Sequence, residues 1–167
     1  MRVRAQVIVL VVAAAALLTA CEKKSSEAPA AEAAAAPVAA AAPDPATAAA
    51  LAALPAPYNT ADIANGQRTF ALCRSCHTIT ADGPNMTGPH LYGLIGRTAG
   101  TVEKFNYSQP LKTAGFAWDA EHLDKWLTDP RAFLPGTRMS FVGVKDPKDR
   151  ADLIAYLMVE SGRKPGG

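Results

Sequence analysis

The sequence predicts an all-α domain, in which a few helices are joined by long loops and preceded by a non-globular N-terminal third. Two observations support this class. Apolar residues recur at helical spacing in three stretches, each preceded by a residue that can cap a helix. Between the first and second of these stretches lie six glycines, at positions 83, 88, 93, 96, 100 and 115, which favour loop rather than strand.

The first predicted helix leads directly into a cysteine-containing turn. Thr60 is a candidate N-cap, and Ile63, Phe70 and Leu72 follow on the way to the turn. Gly66 lies in the middle of this helix, where glycine costs about 1 kcal/mol relative to alanine. We therefore expect another helix to cross close to Gly66.

Two further helices follow the glycine-rich stretch. The shorter one is expected to begin after Asp119 and to end near Pro130, with an apolar face of Leu123, Trp126 and Leu127. The longer one is expected to begin at Asp146-Pro147, because proline is tolerated in the first turn of a helix. Its apolar residues are Leu153, Ile154, Tyr156, Leu157 and Met158.

Residues 1–20 have the pattern of an export signal. Arg2 and Arg4 precede an apolar run that ends at Leu18 and is shorter than the roughly 20 residues of a comfortable membrane span. The run leads into Leu18-Thr19-Ala20-Cys21, which resembles the cleavage site of bacterial lipoproteins. In that class the signal peptide is removed before the cysteine, so Cys21 is the predicted lipidation site. An ordinary cleaved signal peptide and an uncleaved anchor are the alternatives.

Residues 21–57 are predicted to form the lipidated cysteine and a flexible tether. Positions 22–57 hold 18 alanines and 6 prolines among 36 residues, so they offer little side-chain surface to bury. The prolines interrupt any alanine helix, and a semi-extended chain of this length reaches roughly 110–130 Å. The remaining 110 residues, 58–167, form the predicted globular domain.

The charge of this domain argues against one class of partner. It carries 13 lysines and arginines against 11 aspartates and glutamates, a net charge of +2. Domains that bind nucleic acid have a strong and clustered basic excess, which this balance lacks. We therefore expect no nucleic-acid partner.

Cys73-Arg74-Ser75-Cys76-His77 carries the strongest chemical signal in the chain. This spacing is typical of covalent c-type haem attachment, with a thioether at each cysteine and the histidine as iron ligand. A zinc site would need a second pair of ligands, and Cys21 is the sole remaining cysteine. A thioredoxin-like dithiol would need a βαβ context, which the sequence lacks. The predicted cofactor is therefore one covalently bound haem c with its iron.

The iron needs a sixth ligand opposite His77, and the sequence offers several. The candidates are Met86, Met139, Met158, His90 and His122. Met139 ends a turn that begins at Pro135-Gly136 and can direct a side chain inward, whereas Met158 lies in the apolar stripe of the last predicted helix. The residue pattern alone leaves the choice open.

Several motifs in register make the domain similar to a class I cytochrome c of the mitochondrial type, as carried by alphaproteobacteria. Besides the Cys73–His77 segment, they are Thr87-Gly88-Pro89, Gly93–Gly100, Phe105–Ser108, Pro135–Phe141 and Asp152–Leu157. The resemblance covers almost all of residues 58–162. It implies the small cytochrome c fold, in which helices and long loops surround one covalently attached haem and the last helix crosses the first at Gly66.

The resemblance also implies roles for individual residues. Cys73 and Cys76 would attach the haem, and Met139 would be the second axial ligand beside His77. The carbonyl group of Pro89 would accept the proton on the other ring nitrogen of His77 and so fix the ring. The implied haem-propionate partners and their neighbours are Arg97, Tyr107, Ser108, Trp118 and Thr137.

Two residues depart from the family pattern. The family usually has tyrosine at the position of Trp126 and often has asparagine at the position of Leu111. Together with a threonine, here Thr137, those polar residues usually hold a buried water near the iron. We expect this network to be smaller or absent in the present chain.

The implied function is one-electron transfer without enzymatic activity. The expected carrier is a monomer in the bacterial periplasm, lipid-anchored at Cys21, with the inner membrane favoured. Its expected partners are membrane redox complexes of a respiratory or photosynthetic chain, such as a cytochrome bc complex and a terminal oxidase or reaction centre. A haem peroxidase, or a gas or redox sensor with a labile Met139 bond, is the main alternative. A structural lipoprotein with an incidental motif is the other.

Overall fold

The computed structural model describes residues 42–162, all of which belong to one compact unit. The predicted signal peptide, Cys21 and most of the predicted tether lie outside these residues. None of the described helices is both long enough and apolar enough to cross a membrane.

Six α-helices and one 3₁₀ helix occur in this part of the chain. In order they are α1 (Pro45–Ala52), the 3₁₀ helix (Tyr58–Thr60), α2 (Ile63–Phe70), α3 (Gln109–Lys112), α4 (Ala120–Thr128), α5 (Pro130–Phe133) and α6 (Pro147–Glu160). Within residues 42–162 the sole β-type pairing is an isolated bridge between Thr98 and Ala117. The predicted all-α class is therefore confirmed.

Helices α2 and α6 form the centre of the packing. The N-cap of α2 is Asp62 rather than the predicted Thr60, because the Asp62 carboxylate accepts a hydrogen bond from the Asn65 N–H at 2.9 Å. Helix α6 begins after Asp146 with proline in its first turn, as predicted. All seven residues from 152 to 158 in α6 are buried, and they supply much of the core.

Gly66 marks the point where α2 crosses α6. A Cβ atom at this position would overlap the carbonyl oxygen of Asp152 and would lie 2.7 Å from the Cβ atom of Tyr156. Only hydrogen fits between the two backbones, so the predicted close crossing is confirmed. The rings of Phe70 and Tyr156, whose centroids are 5.4 Å apart, extend the contact along α2.

A buried carboxylate joins the N-terminal ends of the same two helices. Asp152 is 3% exposed, and its side chain accepts hydrogen bonds from the Asp62 N–H at 2.9 Å, Asn65 Nδ2 at 2.9 Å and Lys148 Nζ at 2.7 Å. Burial disfavours the ionised carboxyl, but these hydrogen bonds outweigh it and hold the pKa of Asp152 below its usual value.

The shorter helices complete the frame. Helix α4 follows its predicted cap, Asp119, and buries Leu123, Trp126 and Leu127. Helices α3 and α5 have four residues each and were not predicted from the sequence. Helix α3 lies inside the glycine-rich stretch that was predicted to be loop, so that prediction is wrong for these four residues. The part of the stretch before α3 consists of loops and turns apart from the bridge at Thr98, as predicted.

Helix α1 differs from the predicted semi-extended tether. Pro45 occupies its first turn, and the Asp44 side chain accepts hydrogen bonds from the N–H groups of Ala46 and Thr47 at 3.0 and 3.1 Å. The cap and the high helix propensity of alanine together explain why the segment is helical.

The residues that end α1 and follow it pack on the domain. Leu54 is 7% exposed and belongs to the hydrophobic core, while Leu51 and Tyr58 are partly buried against that core. Packing against the core therefore begins at Leu51, ahead of the boundary at residue 58 that the sequence suggested.

Candidate functional site

The Cys73–His77 segment forms a tight turn directly after α2. The Cys73 N–H donates to the carbonyl oxygen of Phe70 at 2.9 Å, and the N–H groups of Cys76 and His77 donate to the carbonyl oxygen of Cys73 at 3.0 and 2.9 Å. These bonds hold both thiols and the imidazole on one backbone unit that is anchored to the α2–α6 pair. Both cysteines are free and partly exposed.

The environment of Cys73 disfavours a reactive thiolate. Burial, with a smaller contribution from Cys76, raises the pKa of the Cys73 thiol to about 11. Dithiol redox motifs and zinc sites use thiolates, which a lowered pKa favours. The raised pKa argues against a thioredoxin-like dithiol. Residues 42–162 also contain no group of three or more histidine, cysteine, aspartate or glutamate side chains that could hold a zinc ion.

The ring of His77 is fixed by the segment around Pro89. Its Nδ1 atom lies 2.7 Å from the Pro89 carbonyl oxygen, and Nδ1 must carry the proton because a carbonyl only accepts. Gly88 lies against the ring, since a Cβ atom there would be 2.7 Å from Nδ1. Burial lowers the pKa of His77, although the Pro89 hydrogen bond opposes this, so the ring is neutral near pH 7. The lone pair of Nε2 is then available to a metal.

Met139 lies in the turn between α5 and α6, partly buried against the core. The other candidates for the sixth ligand have different surroundings. Met158 is 5% exposed inside α6, and Met86 is 46% exposed at the surface. The Nδ1 atom of His122 is hydrogen-bonded to the cap residue of its own helix at 2.8 Å. The Nδ1 atom of His90 is buried and has no hydrogen-bond partner among residues 42–162. These surroundings argue against Met158 and Met86, and Met139 stays the predicted ligand.

Arg97 is a partly buried cation held by backbone carbonyl groups. Its NH1 and NH2 atoms donate to the carbonyl oxygens of Tyr92 and His90 at 2.8 and 3.1 Å. Burial lowers the pKa of Arg97, and the nearby Tyr107 opposes the shift. No carboxylate of residues 42–162 forms a salt bridge with this guanidinium. The site therefore suits an acidic group from outside the polypeptide.

Ser108 gives a second test of whether a haem fits. Its hydroxyl group is buried and has no hydrogen-bond partner in the described part of the chain, a state that costs roughly 1–3 kcal/mol. Ser108 follows Tyr107, which lies close to Arg97. Trp118 is held beside the same loop, because its backbone N–H donates to the Arg97 carbonyl oxygen at 2.9 Å. The cation of Arg97 and the unpartnered hydroxyl of Ser108 are each of the kind that a haem propionate requires.

Three more of the residues singled out from the sequence are Thr137, Trp126 and Leu111. The hydroxyl oxygen of Thr137 accepts a hydrogen bond from the Met139 N–H at 3.3 Å, so Thr137 supports the methionine turn. Trp126 and Leu111, the two departures from the family pattern, are both buried, and Trp126 packs edge-to-face on Trp118 with ring centroids 5.4 Å apart. Both residues belong to the hydrophobic core.

One residue that contacts the site was not singled out from the sequence. Asn85 accepts a hydrogen bond from the His90 N–H at 3.0 Å and donates from Nδ2 to the Glu103 carbonyl oxygen at 3.0 Å. Its partners are backbone groups, one of them 18 positions away, and neither residue type nor spacing signals such a contact.

Comparison with protein families gives a match to the model described as Cytochrome c, over residues 63–159. A cytochrome c2 from Rhodomicrobium vannielii is 40% identical over 115 residues, which cover 69% of this chain and 92% of that protein. A protein named cytochrome c-type cyt cy, from Rhodobacter capsulatus, is 48% identical over 99 residues, covering 59% of this chain and 49% of that one.

Among solved structures, cytochrome cH from Methylobacterium extorquens is similar to this chain with a TM-score of 0.53 and 42% sequence identity. The match covers 57% of this chain and 96% of that chain.

Proposed function

The chain belongs to the cytochrome c family, and from that premise we propose that it is a membrane-tethered carrier of single electrons between respiratory or photosynthetic complexes. The family binds haem c covalently and its members transfer electrons rather than catalyse reactions. The observation that carries the proposal is the Cys73–His77 turn, whose histidine is fixed by Pro89. The peroxidase or sensor alternative gains no support from the relatives, which are named cytochromes c and c2.

We assign the haem-holding roles as follows. Cys73 and Cys76 would form the thioethers, and His77 and Met139 would be the two protein ligands of the iron. Arg97 and Ser108 receive a propionate, with Tyr107, Trp118 and Thr137 beside them. When bound, the haem supplies one iron that changes its charge by a single electron.

The polypeptide keeps its own groups in place during this change. Pro89 and Gly88 hold the His77 ring in one orientation and one tautomer. Thr137 supports the backbone at Met139, within a turn bounded by proline and glycine. Because both proposed ligands sit on fixed backbone, little has to move when an electron arrives or leaves. Buried apolar side chains keep water out and favour the less charged state.

Exposed apolar side chains next to the proposed haem ligands support docking to a protein partner there. Leu72, which directly precedes Cys73, is 62% exposed, and Val142, three positions after Met139, is 81% exposed. Met86 is 46% exposed in the loop after His77. Small apolar contacts suit the weak and transient encounters of redox proteins. The proposed partners are a cytochrome bc complex and a terminal oxidase or reaction centre.

The proposed anchor is a lipid on Cys21 at the periplasmic face of the inner membrane. Since α1 is packed on the domain, the proposed tether comprises residues 22–43 rather than 22–57. A chain of 22 residues spans at most roughly 70–80 Å, enough to let the domain move between neighbouring complexes. The tether keeps the carrier at a high effective concentration near them.

Substitution of the proposed methionine ligand tests the iron site. Met139→Ala is expected to lower the reduction potential by a few tenths of a volt, within the range of about 0.8 V that axial ligands control, and to abolish the thioether–iron absorbance band of the ferric protein. Met86→Ala, at the exposed methionine, is the matched control and should change neither property. An unchanged spectrum in Met139→Ala would show that another residue is the ligand.

Mass spectrometry of protein purified from membranes tests the anchor. The expected N-terminus is an acylated Cys21, and Cys21→Ser should abolish acylation. A version that starts at Ala42 behind another export signal should fold, bind haem and have the potential of the full chain. An N-terminus at Met1, or an unmodified Cys21, would mean that the apolar run itself is the anchor.

A further inference from the structure

The peptide group between Pro89 and His90 is hydrogen-bonded at both ends. Its carbonyl oxygen, on Pro89, accepts the Nδ1 proton of His77 at 2.7 Å. Its N–H, on His90, donates to the side-chain oxygen of Asn85 at 3.0 Å. Asn85 and His77 therefore contact opposite ends of one planar, resonance-stabilised group.

The orientation of the Asn85 amide follows from its second contact. Its Nδ2 atom donates to the carbonyl oxygen of Glu103 at 3.0 Å, and a carbonyl oxygen can only accept. The amide oxygen of Asn85 must then face the His90 N–H, which can only donate. Both contacts require this one orientation, so the acceptor is presented to the peptide group in a fixed position.

A hydrogen bond accepted from a peptide N–H polarises that peptide and makes its carbonyl oxygen a stronger acceptor. In the present case the strengthened acceptor is the Pro89 oxygen, whose donor is His77 Nδ1. A stronger bond at Nδ1 increases the electron density of the ring at Nε2, the atom that faces the iron in the proposed function. Greater donation from Nε2 stabilises the ferric over the ferrous state.

We propose that Asn85 is a positioning residue for the axial histidine. It strengthens the hydrogen bond from His77 to the Pro89 carbonyl oxygen and thereby lowers the reduction potential. The proposal rests on the role assigned to His77 in the proposed function. Asn85 does not touch the imidazole and acts only through the Pro89–His90 peptide. The adjacent peptide is held separately, because Arg97 donates to the His90 carbonyl oxygen at 3.1 Å.

A purely structural role for Asn85 makes different predictions. Asn85 joins two loop segments 18 residues apart, so its removal lowers thermal stability on either interpretation. If Asn85 also polarises the Pro89–His90 peptide, its removal additionally weakens the hydrogen bond from His77 Nδ1 to the Pro89 carbonyl oxygen. The decisive readouts are therefore the NMR resonance of the His77 Nδ1 proton in the ferrous protein and the reduction potential.

Three variants of the haem-loaded protein separate the two roles. Asn85→Ala removes both contacts, and we expect the Nδ1 proton resonance to move upfield and the potential to become more positive. Asn85→Asp keeps an acceptor for the His90 N–H but loses the donor to Glu103, so the resonance should stay or move downfield while the melting temperature falls. Thr78→Val is the matched control, because Thr78 Oγ1 binds the Pro84 carbonyl oxygen in the same loop at 2.9 Å.

Thr78→Val should lower the melting temperature and leave the resonance and the potential unchanged. If Asn85→Ala does the same, or if Asn85→Asp moves the resonance upfield, the proposal is overturned and Asn85 only joins the loops. If the His77 ring protons of the unmodified protein show no shift from the haem, His77 is not the axial ligand. That outcome contradicts the proposed function and the inference together, whereas the first two contradict the inference alone.

Discussion

The α2–α6 pair and the loop side of the domain, defined as residues 78–108, differ in whether their buried polar groups have hydrogen-bond partners. In the helix pair, the buried Asp152 carboxylate accepts three hydrogen bonds from protein groups. In the described part of the chain, three buried side-chain polar atoms lack a partner, and two of them, on His90 and Ser108, belong to the loop side. The third belongs to Ser161, just after α6.

Buried polar atoms in native proteins nearly always have a partner. The Asp152 carboxylate of the helix pair meets this requirement with protein atoms, whereas two buried polar atoms of the loop side have no protein partner among residues 42–162, which supports the proposed haem site there. The two regions therefore have separable tasks. We expect changes in the helix pair to alter the free energy of unfolding and to leave the potential unchanged. Changes on the loop side should alter haem binding and potential.

The largest effect is expected when covalent haem attachment is removed. The double variant Cys73→Ala, Cys76→Ala should contain no covalent haem by mass spectrometry. In the proposed function the haem lies against the loop side, so its loss should cost an amount comparable with the whole free energy of unfolding, on the order of 5–15 kcal/mol. Amide hydrogen exchange would show this as loss of protection across residues 78–108. Wild-type protection there would contradict the distinction between the two regions.

The next largest effect concerns the helix crossing. Gly66→Ala places a methyl group where the Asp152 carbonyl oxygen and Tyr156 Cβ already lie, so the helices must separate. We expect a loss of about 3 kcal/mol in the free energy of unfolding, measured in urea, with the potential of the folded protein unchanged. At Gly93, where φ is +67° and no atom lies within 4 Å of an added Cβ, alanine should cost only about 1 kcal/mol.

The Asp152 carboxylate predicts how the stability of the helix pair depends on pH. Its pKa in the folded protein is below that in the unfolded chain, about 3.9, so its stabilisation is complete above roughly pH 4. That stabilisation is lost as the pH falls through the folded pKa. Asp152→Asn should cost about 2 kcal/mol at neutral pH, and the difference from wild type should shrink below about pH 4. Urea titrations at several pH values measure this, and a difference that does not change with pH would contradict it.

The sequence predicted the long helices better than the short ones for a physical reason. Helices α4 and α6 have capping aspartates and apolar residues at helical spacing, so their starts were predicted. Four-residue helices such as α3 span a single turn and carry no periodicity. Helix α1 has a readable cap at Asp44, but its alanines form no apolar face, and its packing depends on leucines at and beyond its end.

The residues of the candidate site likewise differ in how well the sequence predicted them. The Cys73–His77 motif and the Pro89 contact involve residues close in the chain. The spacing of the cysteines and histidine predicted the motif, and the family resemblance implied the contact. The bond from Asn85 to Glu103 joins backbone and side chain across a loop, and the positions of glycines alone do not define that path. The unpartnered hydroxyl of Ser108 also became visible only once its burial was known.

The smallest effect is expected at Trp126 and Leu111, the two departures from the family pattern. Trp126 and Leu111 are 6% and 9% exposed, and they occupy positions where polar side chains hold water in the resembled family. Trp126→Tyr adds a hydroxyl group, and Trp126→Phe, which reduces the ring without adding one, is the matched control. The difference in potential between the two variants measures the hydroxyl dipole alone.

Adding Leu111→Asn to each variant completes a double-mutant cycle for the hydroxyl and the amide. If the two groups restore a hydrogen-bonded pair or bind a shared water, the cycle should give a coupling of about 1 kcal/mol in the free energy of unfolding. It should also give a change in potential that neither single substitution shows. Zero coupling in both measurements would mean that these two apolar residues do not replace a polar network at this position.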